Sequence, residues 1–202
     1  MALNGPFSFD DLVAMTGGRS KSAAKKLQTL QRFAEVRASL SGKQAARLIG
    51  IDPGTRCVGW GVIDYDSETA TLSAVDFGCI ATNEKLPVKD RLRTIFEELE
   101  RILARTKPQF SALEETFAGV NMKSAIAMGY GRGIALLALA RANLDVLELS
   151  PRSIKQAVTG SGAAAKGRVA LMVAERLGLK KAPKPEDVTD ALAAAIALSQ
   201  HI

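Results

Sequence analysis

The chain has 202 residues, of which 47% are hydrophobic and 24% are charged. This is the length of one ordinary domain, or of one domain with a small addition, and the apolar fraction excludes a largely disordered chain. No apolar run reaches the roughly 18 residues that a membrane span needs, and the first residues lack the pattern of a secretory signal. We therefore expect a cytoplasmic protein with no membrane partner.

The net charge of +6 is concentrated at one end of the chain. Residues 1–47 contain 8 Lys and Arg against 3 Asp and Glu, whereas residues 48–202 contain 19 against 18. A basic segment of this kind indicates a polyanionic partner without identifying it. The two cysteines, Cys57 and Cys79, are too few for a disulfide scaffold or a zinc site, so we expect two reduced, buried thiols.

Residues 1–46 are predicted to form a small, basic, helical extension that ends in a linker. Two short helical patterns are separated by Gly17 and Gly18, and Ser20 is a suitable N-cap for the second helix. Two interpretations remain open: a helix-turn-helix that binds DNA, or a helical hairpin whose charges face solvent. On the first interpretation, the DNA-binding residues are basic side chains around the second helix: Arg19, Lys21, Lys25 and Lys26.

Residues 47–202 are predicted to form an α/β domain. Three strand patterns joined by short turns predict an antiparallel meander, and two further strands alternate with helices. The predicted strands cover 47–52, 59–65, 71–80, 110–115 and 146–149. The predicted helices cover 87–105, 122–142, 151–158, 166–177 and 185–200. This order predicts a mixed five-stranded sheet flanked by helices.

Four acidic residues occupy positions that would converge in such a fold. Asp52 ends the first strand, Glu114 ends the strand expected to lie beside it, and Asp187 and Asp190 share one face of the last helix. Each acid has an ordinary explanation when taken singly, as a turn residue, a solvated strand end or a helix N-terminal charge. Together they would repel one another unless cations balanced them.

Hard divalent cations are the natural partners of four converging carboxylates. Mg²⁺ prefers oxygen ligands, and Mn²⁺ accepts the same set. Two such ions about 4 Å apart are suited to in-line displacement at a phosphodiester. The acids therefore predict a site with two Mg²⁺ ions, for which Mn²⁺ substitutes.

Several segments resemble the RuvC family of Holliday-junction resolvases, in the family's order and with its approximate spacing. These segments are Ile49-Gly50-Ile51-Asp52-Pro53-Gly54-Thr55 with Gly59-Trp60-Gly61-Val62, Leu113-Glu114-Glu115-Thr116-Phe117 continuing to Gly131-Arg132-Gly133, 150–158, and 187–193. The resemblance covers about three-quarters of the chain. The extension of about 47 residues departs from the family, whose members generally begin close to the first strand.

The resemblance implies a ribonuclease H-like fold, a homodimer and Mg²⁺-dependent, symmetric nicking of four-way DNA junctions. It implies that Asp52, Glu114, Asp187 and Asp190 are the metal-binding catalytic acids. Lys155 and Lys166 match basic residues near the scissile phosphate, and Phe117 matches an aromatic residue that contacts bases at the crossover. Arg132, Arg152 and Arg168 are further candidates for DNA contact. A bacterial or phage source is expected, and a branch-migration motor is a candidate partner that the sequence does not identify.

Three alternatives are weighed against a resolvase. A related single-lobe nuclease would cut RNA or other branched DNA with the same acids. An actin-like or sugar-kinase-like ATPase uses a similar Asp-x-Gly-Thr turn but normally needs two lobes, whereas residues 48–202 supply one. A DNA-binding protein with a decayed site is disfavoured because all four acids are present.

Overall fold

The computed structural model describes residues 21–39, 45–115 and 122–202, and these form a mixed five-stranded sheet with helices on both faces. The strands are β1 (Ala46–Asp52), β2 (Cys57–Asp66), β3 (Thr71–Ala81), β4 (Phe110–Glu114) and β5 (Val146–Leu149). The helices are α1 (Lys21–Ser39), α2 (Val88–Thr106), α3 (Met122–Arg141), α4 (Pro151–Thr159), α5 (Lys166–Arg176) and α6 (Glu186–Leu198), with a short 3-10 turn at Ser199–His201.

The sheet has the strand order β3-β2-β1-β4-β5. The meander is antiparallel, whereas β4 runs parallel to both β1 and β5. The predicted fold class is confirmed, because the alternation of period along the chain already distinguishes a meander from β-α-β units. The carboxyl ends of β1, β4 and β5 consequently lie at one edge of the sheet, which we call the carboxyl edge.

Each face of the sheet carries its own hydrophobic core. One core packs α4, α5 and α6 against residues such as Leu48 and Phe110, and the other packs α2 and α3 against residues such as Ile49 and Leu113. Residues 191–198 of α6 are all buried, so this helix is the central element of its layer. A helix that is apolar around its whole circumference is stable only when it is enclosed in this way.

The helix of the extension, α1, is part of the first core. Phe33 is 2% exposed and meets Phe110 edge to face, with ring centroids 5.0 Å apart. Arg32 pairs with Asp145 and Lys25 with Glu148, so α1 lies along the edge strand β5. The first helix predicted for the extension, and hence the choice between a helix-turn-helix and a hairpin, lies outside the described residues.

Cys57 on β2 and Cys79 on β3 are joined in a disulfide. The expectation of two separate reduced thiols is therefore wrong. The cause is strand pairing, because Cys79 lies opposite Gly59 and Cys57 is two residues away on the same side of β2. Among the described residues, no helix is both long and apolar enough to cross a membrane.

Candidate active site

Asp52 and Glu114 are brought together by the pairing of two parallel strands. Ile51 on β1 lies opposite Leu113 on β4, and each acid is the next residue along its strand. Neighbouring strands lie about 4.8 Å apart, and residues at equivalent positions point to the same face. Because Leu48 and Phe110 pack in the core that contains α6, the two acids also face α6.

Asp187 and Asp190 reach the same place because α6 lies unusually close to the sheet. A Cβ added to Gly59 would lie 1.9 Å from the Asp187 carbonyl oxygen, and one added to Gly50 would lie 2.1 Å from the Ala191 carbonyl oxygen. Glycine at these two strand positions therefore admits the helix backbone directly onto the sheet. The first turns of α6, which carry both aspartates, are held over the ends of β1 and β4.

The electrostatics show that the four carboxylates share one environment. Burial, followed by the negative charges of Glu114, Asp190 and Asp187, raises the pKa of Asp52 to about 8. Burial and Asp190 likewise raise the pKa of Glu114 to about 6. Burial is also the main cause of the raised pKa of Asp190. The site therefore holds more negative charge than its own residues can stabilise.

Two lysines partly offset this charge. The Lys166 ammonium lies 3.6 Å from Asp190 and 3.5 Å from Glu186, and Asp190 is the main cause of the raised pKa of Lys166. Lys155 on α4 lies close enough to Glu114 for its positive charge to oppose the rise in the pKa of that carboxyl. Both lysines predicted from the sequence thus lie at the acid cluster.

The acids fit divalent cations by their chemistry. Carboxylate oxygens are the ligands that Mg²⁺ and Mn²⁺ prefer, and the raised pKa of Asp52 marks negative charge that a cation would balance. Within residues 21–39, 45–115 and 122–202, no group of three or more acidic, histidine or cysteine side chains is already close enough together to hold a metal ion. The structure thus gathers the donors into one region without completing a coordination shell.

The remaining candidate residues are distributed around this site. Arg132 on α3 is mostly buried and donates a hydrogen bond to the Glu114 carbonyl oxygen, whereas Arg152 and Arg168 are exposed on α4 and α5. Lys25 and Lys26 are exposed on α1. Lys21 begins α1, although its side chain is outside the description, and Arg19 and Phe117 lie outside the described residues altogether.

Two acids that pair with candidate site residues were not singled out from the sequence. Glu186 pairs with Lys166, and Glu148 pairs with both Arg132 and Lys25. The sequence did contain a pattern that could have identified Glu148. Like Asp52 and Glu114, it is an acid near the carboxyl end of a predicted strand. Its significance depends on a partner in the extension, more than a hundred residues away along the chain, which no local pattern indicates.

The raised pKa of Asp52 predicts how folding stability depends on pH. Between its unfolded value near 3.8 and its folded value near 8, the folded state binds more protons than the unfolded state, so stability falls as pH rises. The expected loss by pH 9 is on the order of 5 kcal/mol. Asp52→Asn should therefore melt above the wild type at pH 9 in EDTA and converge with it near pH 4, as measured by circular dichroism.

Added Mg²⁺ provides the second part of that experiment. It should raise the wild-type melting temperature at pH 9 much more than that of Asp52→Asn, because the ionised carboxylate is the form that binds metal. If the melting temperatures of the two proteins in EDTA depended on pH in the same way, Asp52 could not be a buried carboxylate without a balancing positive charge.

The fold and the acid cluster define a ribonuclease H-like protein with a carboxylate site at one edge of its sheet. The family model described as crossover junction endodeoxyribonuclease RuvC matches residues 48–198. The chain therefore belongs to the RuvC family.

Individual relatives agree with this assignment. The crossover junction endodeoxyribonucleases RuvC of Chloroflexus aggregans and Alkaliphilus oremlandii are 44% and 41% identical to the chain, over 74% of it and 90% of each relative. A solved structure described as T. thermophilus RuvC in complex with Holliday junction substrate has a TM-score of 0.70 at 35% identity, covering 75% of this chain and 92% of that one. Yeast mitochondrial Ydc2, with a TM-score of 0.55 at 11% identity, shares the fold. The family match begins after the extension, at residue 48.

Proposed function

We propose that this protein is a structure-specific DNA endonuclease that resolves four-way junctions by paired symmetric nicks. The observation that carries the proposal is the convergence of Asp52, Glu114, Asp187 and Asp190 at the carboxyl edge of a RuvC-family fold. A solved relative whose description includes a Holliday junction substrate supports the choice of DNA. The reaction is hydrolysis of a phosphodiester, which leaves a 5′-phosphate and a 3′-hydroxyl.

The four acids are proposed to hold two Mg²⁺ ions, for which Mn²⁺ substitutes. Bound there, the ions would supply the positive charge that activates a water molecule and stabilises the leaving 3′ oxygen. Asp52 and Glu114 provide fixed donors on two rigid strands, and Asp187 and Asp190 close the site from α6. Burial at the end of the sheet lowers the local dielectric and so strengthens each of these interactions.

Basic residues around the acids are proposed to bind the DNA backbone. Lys166 lies at Asp190 and Lys155 near Glu114, which supports a role for both at the scissile phosphate. Arg152 and Arg168 are exposed on the adjacent helices and would bind flanking phosphates. The basic residues of the extension, Arg19, Lys21, Lys25 and Lys26, would lengthen this surface, and Phe117 would contact bases at the crossover. In this proposal residues 1–46 extend a nuclease domain formed by residues 47–202.

A homodimer through α3 is proposed because paired nicks need two sites related by a two-fold axis. Four large apolar side chains on α3 are exposed although the opposite face of the helix is buried. They are Met122 at 77%, Ile126 at 47%, Tyr130 at 48% and Leu137 at 49%. Met122, Ile126 and Tyr130 follow one another at one helical turn, and Leu137 lies two turns beyond Tyr130 on the same side. Gly133 lies between Tyr130 and Leu137, and a Cβ added there would meet nothing within 4 Å. A second copy packed on these side chains would bury them.

Ile126→Asp should therefore weaken dimerisation by about 100-fold or more, because the charge enters the interface once from each copy. Sedimentation velocity measures the effect. Leu86→Asp is the matched control, since Leu86 is similarly exposed at 45% but lies before α2. An Ile126→Asp protein that dimerises as the wild type does would contradict an interface on α3.

Cleavage of four-way, three-way and flap DNA side by side, with a structured RNA included, tests the proposed function. We expect symmetric paired cuts on the four-way substrate alone, mapped at nucleotide resolution. Equal cleavage of flaps or of RNA would instead indicate a general structure-specific nuclease with the same acids.

The bacterial origin of the matched relatives supports a bacterial or phage-infected cytoplasm as the place of action.

A further inference from the structure

Arg132 links the end of β4 to its neighbour β5. Its Nη1 donates to the Glu114 carbonyl oxygen at 3.0 Å, and its Nη2 forms an ion pair with Glu148 Oε2. The side chain is only 19% exposed. Arg132 belongs to α3, which packs on the sheet face opposite α6, so it holds the Glu114 backbone from the side away from the acids.

The carboxylate of Glu148 is shared between two cations. Its Oε2 binds Arg132, and its Oε1 lies 3.1 Å from the Lys25 ammonium of α1. Glu148 lies opposite Leu113 in the β4–β5 register, one residue before the position opposite Glu114. A short chain of charge-assisted contacts therefore runs from the extension helix to the end of β4.

The position of Lys25 is set by the fold. Phe33 anchors α1 in the core, and the Arg32–Asp145 pair, at 2.7 Å, fixes its other half at the far end of β5. The two ion pairs thus join the same helix to β5 and to the residue just before it. Of the two, the Lys25 pair is the one at the carboxyl edge.

We propose that Arg132 and Glu148 are a positioning pair that holds Glu114 in place for metal binding, and that Lys25 of the extension orients Glu148 for this task. This inference rests on the proposed metal site. It gives α1 an effect on catalysis that is separate from any contact with DNA. An extension outside the family match would then adjust the metal affinity of the family's site.

The test measures Mn²⁺ binding to the DNA-free protein by isothermal titration calorimetry, together with the Mg²⁺ concentration for half-maximal nicking. Arg132→Met should weaken Mn²⁺ binding about 10- to 100-fold, as loss of a residue that orients a ligand does. Glu148→Gln, which keeps the shape and removes the charge, should weaken it less. Arg132→Lys keeps the positive charge but loses the planar guanidinium that contacts both partners at once. Its Mn²⁺ affinity should therefore lie between those of the wild type and Arg132→Met.

Lys25→Met and Arg32→Met form a matched pair, because each removes one α1 cation from an ion pair with an acid on or just before β5. Lys25→Met should weaken Mn²⁺ binding by roughly two- to five-fold, the range of a partly exposed ion pair, and Arg32→Met should leave it unchanged. Melting temperatures identify any variant that has lost its fold. If one has, the Mn²⁺ affinities of Arg132→Lys and Lys25→Met, which are milder changes, are used to test the proposal.

Wild-type Mn²⁺ affinity in the Arg132 and Glu148 variants would overturn the positioning role. An effect of Arg32→Met as large as that of Lys25→Met would overturn the role of Lys25. A wild-type protein that binds Mn²⁺ but cuts no junction would contradict the proposed function instead, and the order of Mn²⁺ affinities would still decide the inference.

Discussion

Asp52→Asn is expected to reduce nicking of a four-way junction roughly 1,000-fold or more in Mg²⁺ while junction binding is retained. The substitution preserves the size of the side chain but removes the negative charge that lies among three other carboxylates. Binding should persist, because the basic residues around the site are untouched and one charge that repels phosphate has been removed. Nicked product on denaturing gels measures the rate, and gel shift in Ca²⁺ measures binding.

Glu115→Gln is the matched control for this loss. Glu115 follows Glu114 directly, and its backbone amide donates to the Leu149 carbonyl oxygen. It lines a small cavity with Lys25 and Lys26, and adjacent residues of an extended chain point to opposite sides, so its carboxylate lies away from the acid cluster. Its rate should stay within a few-fold of the wild type. Nicking by Asp52→Asn at a rate comparable to this control would show that Asp52 does not bind the catalytic metal.

Gly59→Ala is expected to disrupt both the fold and the site. The added Cβ would lie 1.9 Å from the Asp187 carbonyl oxygen, so α6 must move away from β2. Overpacking of this kind costs about 1–3 kcal/mol and sometimes more. Asp187 would move with the helix, and nicking should fall even at temperatures where the variant remains folded. Urea unfolding and junction cleavage measure the two effects.

Gly167→Ala is the control for the added methyl group. Gly167 is a helical glycine on α5, and a Cβ there would meet nothing within 4 Å. Alanine should be neutral or stabilise the protein by up to about 1 kcal/mol, because it is the better helix former. Equal stability of the two variants would contradict the close packing of α6 on β2.

The extension shows where local patterns stop being informative. Its second helix was predicted from its periodicity, and α1 is present from Lys21 to Ser39. The sequence did not indicate that Phe33 would enter the core against Phe110, or that Lys25 would meet Glu148. A helical stripe of apolar residues identifies a face to be buried, but it does not name the surface that buries it.

The sequence by itself determined the elements and the position of the acids along them. Periodicity separates strands from helices, and parallel pairing puts Asp52 and Glu114 at one edge without further information. Periodicity depends only on residues close together along the chain, and parallel pairing follows from the order of the elements. The proposal of divalent cations rests on carboxylate chemistry alone.

Only the tertiary structure decided how these acids behave. The approach of α6 over Gly50 and Gly59 buries Asp52, and that burial raises its pKa to about 8. The disulfide between Cys57 and Cys79 and the contacts of Arg132 with Glu114 and Glu148 also arise only when distant segments meet. The physical reason is that desolvation and charge–charge energies depend on distances in space, and spacing along the chain does not determine those distances.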